Sequence, residues 1–173
     1  MDLQTPRLFL RPIRPNDAAD IFVARGDDAV MRHWDWPAQK SVEEVRAIIA
    51  GHFAQIESGA TLWWVAALSP RGPAIGECDL SAIDPHHKRA EVGFLFRRDA
   101  WGKGYAREAM ERVMCYGFDE LGLERLTARF HDGNEASRKL LERLGFTYEG
   151  TLRGHVLRDG ARRDCVLYGR GRN

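Results

Sequence analysis

Apolar residues recur along this chain with two periods, and the places where one gives way to the other mark out its elements. Arg7-Leu8-Phe9-Leu10-Arg11-Pro12 alternates charged and apolar side chains and predicts a first strand that Pro12 ends. Residues 15–25 predict a short helix: Pro15 suits a first turn, Asp17 adds early negative charge, and Ala18, Ile21 and Phe22 face inward. His33-Trp34-Asp35-Trp36-Pro37 breaks the helical period before Ser41-Val42-Glu43-Glu44 opens a second helix as a capping box. Val45, Ile48, Ile49, Phe53 and Ile56 form its apolar face. Residues 61–68 and 74–83 are β-rich and predict a hairpin turned by Ser69-Pro70-Arg71-Gly72-Pro73, with Gly76 marking a bulge or a close backbone contact.

The most informative run is 90–121. Ala90-Glu91-Val92-Gly93-Phe94-Leu95-Phe96 predicts a strand, and Trp101-Gly102-Lys103-Gly104-Tyr105-Ala106 leads from it into a helix. That helix carries Ala106, Ala109, Met110, Val113, Met114, Gly117, Phe118 and Leu121 at helical spacing, and Gly122 is its stop. Downstream, residues 125–130 predict a strand. Asn134 caps a helix with Leu140, Leu141 and Leu144 inward, and Gly145 supplies a left-handed stop that lets Phe146 pack on Leu141. Two further β segments flank Arg158-Asp159-Gly160. The order β-α-α-β-β-β-α-β-α-β-β predicts an α/β fold: one mixed sheet with helices on both faces.

A helix N-terminus directs unpaired N–H groups and the positive end of the macrodipole outward, so it suits phosphate if no side chain blocks the approach. Gly102, Gly104 and Ala106 keep that approach open. Glycines in a strand-to-helix turn also have a purely steric explanation. Neither of two familiar phosphate loops fits, because Lys103 is followed by Gly104 and Tyr105 instead of Ser or Thr, and Gly102-x-Gly104 is followed by Arg107 where a dinucleotide loop has glycine.

The run Trp101-Gly102-Lys103-Gly104-Tyr105-Ala106 closely resembles the acyl-CoA signature of the GCN5-related N-acetyltransferases (GNAT superfamily), Gln/Arg-x-x-Gly-x-Gly/Ala. Trp101 stands where the general pattern has Gln or Arg, and this variant looks like the ribosomal-protein-alanine N-acetyltransferase branch. Asn134-x-x-Ser137-x-x-Leu140 through Leu144-Gly145-Phe146 resembles the second cofactor motif, in the expected order. The resemblance spans nearly the whole of residues 1–173 and implies a single acetyltransferase domain. Its sheet would be mixed, mostly antiparallel and of about seven strands. It implies a V-shaped splay between the strand at Glu91 and the one beginning near Arg125, and acetyl-CoA as cofactor. Phe94 and Phe96 would run beside the pantetheine arm, and the loop from Trp101 to Ala106 would hold the diphosphate, with Asn134 and Ser137 also against the cofactor. Trp34 and Trp36 either pin a loop over the core or, as the resemblance implies, wall the acceptor site.

Composition narrows the partners. At 173 residues the chain is long enough for a substantial core, and 26 Lys plus Arg against 25 Asp plus Glu give no general attraction to nucleic acid. Cys78, Cys115 and Cys165 lack the paired spacing of a zinc site, so reduced thiols, no metal and a cytoplasmic setting are expected. No signal-like or membrane-length apolar run is present. A homodimer fits the family resembled.

Acetyl transfer to an amine needs the amine neutral. An α-amine titrates near 8 and a lysine near 10.4, so deprotonating lysine at neutral pH takes roughly 3 kcal/mol more. The first-choice acceptor, implied by the resemblance to the ribosomal-protein branch and favoured weakly by this cost, is the α-amine of a protein or peptide, attacked directly in a ternary complex. An acidic acceptor pocket would instead favour a polyamine, and amino acids or antibiotics are further small-amine alternatives. Glu91 is the one acid within its apolar run and the candidate base or amine-positioning group, unless Arg89 pairs with it. Many relatives carry a tyrosine acid where this chain has Leu141, so Ser137 is the expected substitute, with Tyr148, Tyr168, His86 and His87 as further candidates. Backbone N–H groups beside Phe94 would polarise the thioester, and Arg138 and Lys139 either meet the nucleotide end or form a wet helix face. The departures at Trp101 and Leu141 leave open an acyl-CoA-binding sensor without turnover.

Overall fold

Strands send alternate side chains to opposite faces, and in this chain both faces are covered by helices. The computed structural model describes residues 1–172, so Asn173 lies outside the described residues. The strands are β1 (Leu3–Gln4), β2 (Phe9–Pro12), β3 (Leu62–Ala67), β4 (Ala74–Asp84), β5 (Arg89–Phe96), β6 (Arg125–His131), β7 (Thr147–Arg158) and β8 (Ala161–Gly171). They form one eight-stranded sheet in the order β1-β2-β3-β4-β5-β6-β8-β7. The strand beyond those expected is β1, two residues paired to β2, too short to leave a periodic signal.

The helices are α1 (Ala18–Arg25), α2 (Asp28–Met31), α3 (Val42–Gly51), α4 (Phe53–Glu57), α5 (Tyr105–Cys115) and α6 (Glu135–Arg143). One face of the sheet packs Leu80, Val92 and Leu126 against Met110 and Val113 of α5 and Leu141 of α6. The other packs Trp63 and Val65 against Ile21, Val45 and Ile49, and Leu95 against Val30 and Met31. Three boundaries differ from expectation. The helix expected over 42–56 breaks at His52, where Gly51 weakens the helix and the His52 N–H reaches back to Ile49 at 3.1 Å. Ser41 caps α3 as expected, but Glu44 Oε2 accepts from the N–H of Lys40 at 2.7 Å instead of from Ser41, so the capping box is displaced by one residue. After α5 the chain continues as a π-helical turn, Tyr116–Glu120, where Gly117 lets Leu123 and Leu80 close in. The bulge expected near Gly76 is present, since the β3–β4 register shifts between Ala66 and Ala67.

The feature that builds the site is the pairing of β5 with β6, the one parallel pair of the sheet. It consists of Arg89↔Arg125, Ala90↔Leu126 and Glu91↔Thr127 and then stops. From there β5 continues against β4 alone and β6 against β8 alone. A V-shaped gap therefore opens at Glu91. No helix among the described residues is long and apolar enough to cross a membrane.

Candidate active site

At one end of the gap lies the loop that joins β5 to α5. Gly102 and Gly104 have φ of +72° and +80°, a left-handed backbone that side chains resist, and this turns the chain sharply into the helix. Nothing stands within 4 Å of where a Cβ on Gly102 would be, so the approach is open. The first bond of α5 is Glu108 N–H to the Gly104 carbonyl, and the N–H groups from Gly102 to Arg107 have no backbone partner among the described residues. Such a fan of free amides at a helix N-terminus fits a diphosphate. Arg7 braces it: its guanidinium donates to the Lys103 carbonyl at 3.0 Å, pairs with Glu108 at 2.6 Å and lies over the Tyr105 ring.

The side chains of Trp101 and Phe96 both have partners within the protein. The Trp101 indole N–H donates to the Phe96 carbonyl at 2.8 Å, so its polar atom ties the loop to the end of β5. Phe96 itself is buried in the core, and of the two phenylalanines it is Phe94 that lines the gap. Asn134 caps α6 by accepting from the Ser137 N–H at 3.2 Å, which leaves the Ser137 hydroxyl without a partner among the described residues. Ser137 is thus capped and does not itself cap.

The gap holds a cavity of about 360 Å³ lined by Glu91, Phe94, Asn134, Ser137 and Leu141 together with Trp34 and Trp36. Residues from strands far apart in sequence therefore meet here. Glu91 is half-buried; burial pushes its carboxyl up, Arg129 opposes this and Asp35 adds to it. It has no hydrogen bond or ion pair among the described residues, and Arg89 pairs with Asp84 at 3.6 Å instead. Tyr148 bonds to Thr151 and Tyr168 to Glu142, while His86 and His87 stack on each other in the exposed turn after β4. Arg138 pairs with Glu135 and Glu142 along the wet face of α6.

A larger cavity of about 760 Å³ adjoins the first, sharing Trp34, Trp36, His52, Asp79, Ser81 and Phe94. Trp63, Ile48, Gln39 and Glu77 complete its wall and floor. The loop carrying Trp34 and Trp36 is held from the far side of the gap, since Asp35 pairs with Arg129 at 2.8 Å and His131 at 3.0 Å. Arg158, near the tip of the β7–β8 hairpin, donates to the carbonyls of Met31, Arg32 and Trp34. Burial alone would raise the Asp35 carboxyl, but the bonds from Arg129 and His131 outweigh it and hold it below the ordinary range. Asp35, His131 and Cys165 bring three potential metal ligands within 4.8 Å of one another. The Arg129 guanidinium, however, donates to both Asp35 and Cys165, so a fixed cation already occupies that corner.

A model of the acetyltransferase (GNAT) domain matches residues 7–147. This chain belongs to the GNAT acetyltransferases. It is 33% identical to the uncharacterized N-acetyltransferase YoaA of Bacillus subtilis over 96% of this chain and 94% of that protein. To the spermidine N(1)-acetyltransferase of Escherichia coli it is 27% identical, over 91% of this chain and 82% of that one. Among solved structures, Mycobacterium smegmatis RimJ in complex with CoA-disulfide superposes with a TM-score of 0.85 at 25% identity, covering 99% of this chain and 86% of RimJ. This GNAT domain is accordingly an acetyl-CoA-dependent N-acetyltransferase, and a sensor without turnover is set aside.

Sequence reading missed the polar residues that line the cleft from β4. Glu77, Asp79 and Ser81 alternate along β4 and face the same way as Glu91, because Asp79 pairs with Gly93 and Ser81 with Glu91. A Cβ on Gly93 would sit 2.3 Å from the Asp79 carboxylate, so this glycine makes the room that Asp79 occupies. Burial pushes the Asp79 carboxyl up to about 7; Ser81 opposes this shift, and Glu77 and Glu91 add to it. The polar alternation in an otherwise apolar strand was the available signal.

Proposed function

We propose that the acceptor is the α-amine of a protein or peptide, and that Glu91 receives it at the point where the β5–β6 gap opens. The observation that carries this reading is the partnerless, half-buried Glu91 carboxylate beside the last paired residues of the parallel strands. With its pKa raised by burial, Glu91 is a better match for a proton from an ammonium near neutral pH than an exposed carboxylate. Acetyl-CoA, when bound, supplies an acetyl thioester. The amides from Gly102 to Arg107 hold the diphosphate, Asn134 fixes the start of α6, and the free Ser137 hydroxyl donates a hydrogen bond to the departing thiolate sulfur, keeping its own proton. Trp34 and Trp36 wall the acceptor side and keep water from it.

The charge balance of the cleft supports a monoamine over a polyamine. Glu77 is paired with Arg25 and Asp35 with Arg129 and His131, while Glu44 is engaged at the start of α3. Glu44, Asp79 and Glu91 are left without a cationic partner, and Asp79 and Glu91 both have raised pKa values. A carboxyl with a raised pKa keeps its proton more readily and holds a polycation less well than an exposed carboxylate does. Thiol release from acetyl-CoA should therefore be fastest with free-amine peptides, absent with N-acetylated versions, and at least about tenfold slower with spermidine, a margin of about 1.4 kcal/mol. Turnover of spermidine with no turnover of any peptide would overturn the α-amine reading.

A further inference from the structure

The floor of the larger cavity is rich in hydrogen-bond acceptors that lack donors. Glu77 is 3% exposed, and neither of its carboxylate oxygens has a hydrogen-bond partner. Arg25 Nη2 lies 2.7 Å from Glu77 Oε1, but this ion pair falls outside hydrogen-bond geometry. Gln39, also buried, donates through its nitrogen to the Pro37 carbonyl, and its Oε1 is unpartnered. Asp79 stands between this floor and Glu91. The Glu77 and Gln39 oxygens are sealed below the cavity surface, so the acid of this floor that a ligand's donor can reach is Asp79, which is half-buried and lines both cavities.

We propose that the cavity is a second subsite that selects acceptors with a hydrogen-bond donor at the end of a long side chain, lysine-like above all, reaching Asp79. The proposal rests on the reading that Glu91 marks the acetylated amine. Spacing sets the length. Asp79 and Glu91 are diagonal neighbours on adjacent antiparallel strands, which places their side chains about 7 Å apart. A serine hydroxyl on the first residue is too short to bridge that step, whereas an extended lysine or arginine side chain spans it. The walls suit such a chain, since Trp34, Trp36 and Trp63 offer indole faces to methylene groups and cations alike. Arg25 already lies over Trp34 and Trp63 and neutralises Glu77, so the subsite has room in charge for one further cation at Asp79 and not for several.

The test compares matched peptides that differ only in the first side chain, lysine against norleucine and glutamine against methionine, in wild type and Asp79→Asn. The expected result is a kcat/KM at least about tenfold higher for lysine than norleucine, a smaller preference for glutamine over methionine, and loss of the lysine preference in Asp79→Asn with CoA affinity unchanged. Equal rates for lysine and norleucine, or a preference that survives Asp79→Asn, would overturn the proposal. A parallel pair, 1,4-diaminobutane against butylamine, separates this idea from the α-amine reading. If no peptide turns over, that reading fails, and quenching of the cavity tryptophans by the diamine but not the monoamine would still support the subsite. Equal quenching by the two would sink it.

Discussion

The loop proposed for the diphosphate offers its free amides from one short run, Gly102 to Arg107, whereas the cleft proposed for the acceptor is assembled from α1, α3, α4, α6, β3, β4, β5, β6 and the residues between α2 and α3. The loop works through main-chain amides, which every residue carries, and needs only a backbone path that exposes them. The cleft works through particular side chains whose neighbours are fixed by strand register.

Exchanging side chains should affect the two regions differently. The largest effect is expected at Glu91. Glu91→Gln should lower kcat/KM at pH 7 by about 10²- to 10⁴-fold, with the loss shrinking as the pH passes that of the free amine. A pH–rate profile unchanged by the substitution would remove Glu91 from the chemistry. Next comes the backbone of the loop. Gly104→Val must hold a branched side chain at a φ of +80°, a strain of about 1–2 kcal/mol, and its methyl groups would cover the amides. The dissociation constant for CoA should rise about tenfold or more by calorimetry while acceptor preference stays the same. Unaltered affinity would move the diphosphate elsewhere.

Smaller effects sharpen the contrast. Folded Asp79 keeps its proton up to about 7, whereas in the unfolded chain it ionises near 4, so the native state binds the extra proton in between. Stability is then highest below about pH 4 for this group and falls as pH rises toward 7. Asp79→Asn cannot ionise and should melt about 3 °C or more above wild type at pH 8, with the difference fading in acid. A gap independent of pH would mean that Asp79 is ionised in the fold. Smallest of all should be Trp101→Phe, which loses the indole bond to the Phe96 carbonyl and about 1 kcal/mol of stability, with CoA affinity within about twofold of wild type. A large loss of CoA affinity would show that the indole, and not the main chain, serves the cofactor.

Much of the fold was legible because its signals are local. Asn134 caps α6, Gly145 adopts φ +81° and returns Phe146 to the Leu141 carbonyl, and Gly104 opens α5, each as its residue type and position predicted. The displaced box at Ser41 and the break at His52 show the limit of such signals, since each turns on one hydrogen bond that a neighbour offers equally well. The acceptor side was far less legible. Trp34 and Trp36 were noticed as unusual, but the pairing of Asp35 with Arg129 and His131 joins parts of the chain that no local pattern links.

What this sequence determined unaided is where its backbone turns, caps and exposes amides, because those conformations follow from sterics and hydrogen bonding over a few residues. Only the tertiary structure decided that the parallel pairing ends at Glu91 and Thr127, that Asp79 fits against the missing side chain of Gly93, and that Glu77 is buried against Arg25. Those meetings depend on strand register and on where a parallel pairing ends, and both are set by the packing of all the helices on the sheet at once.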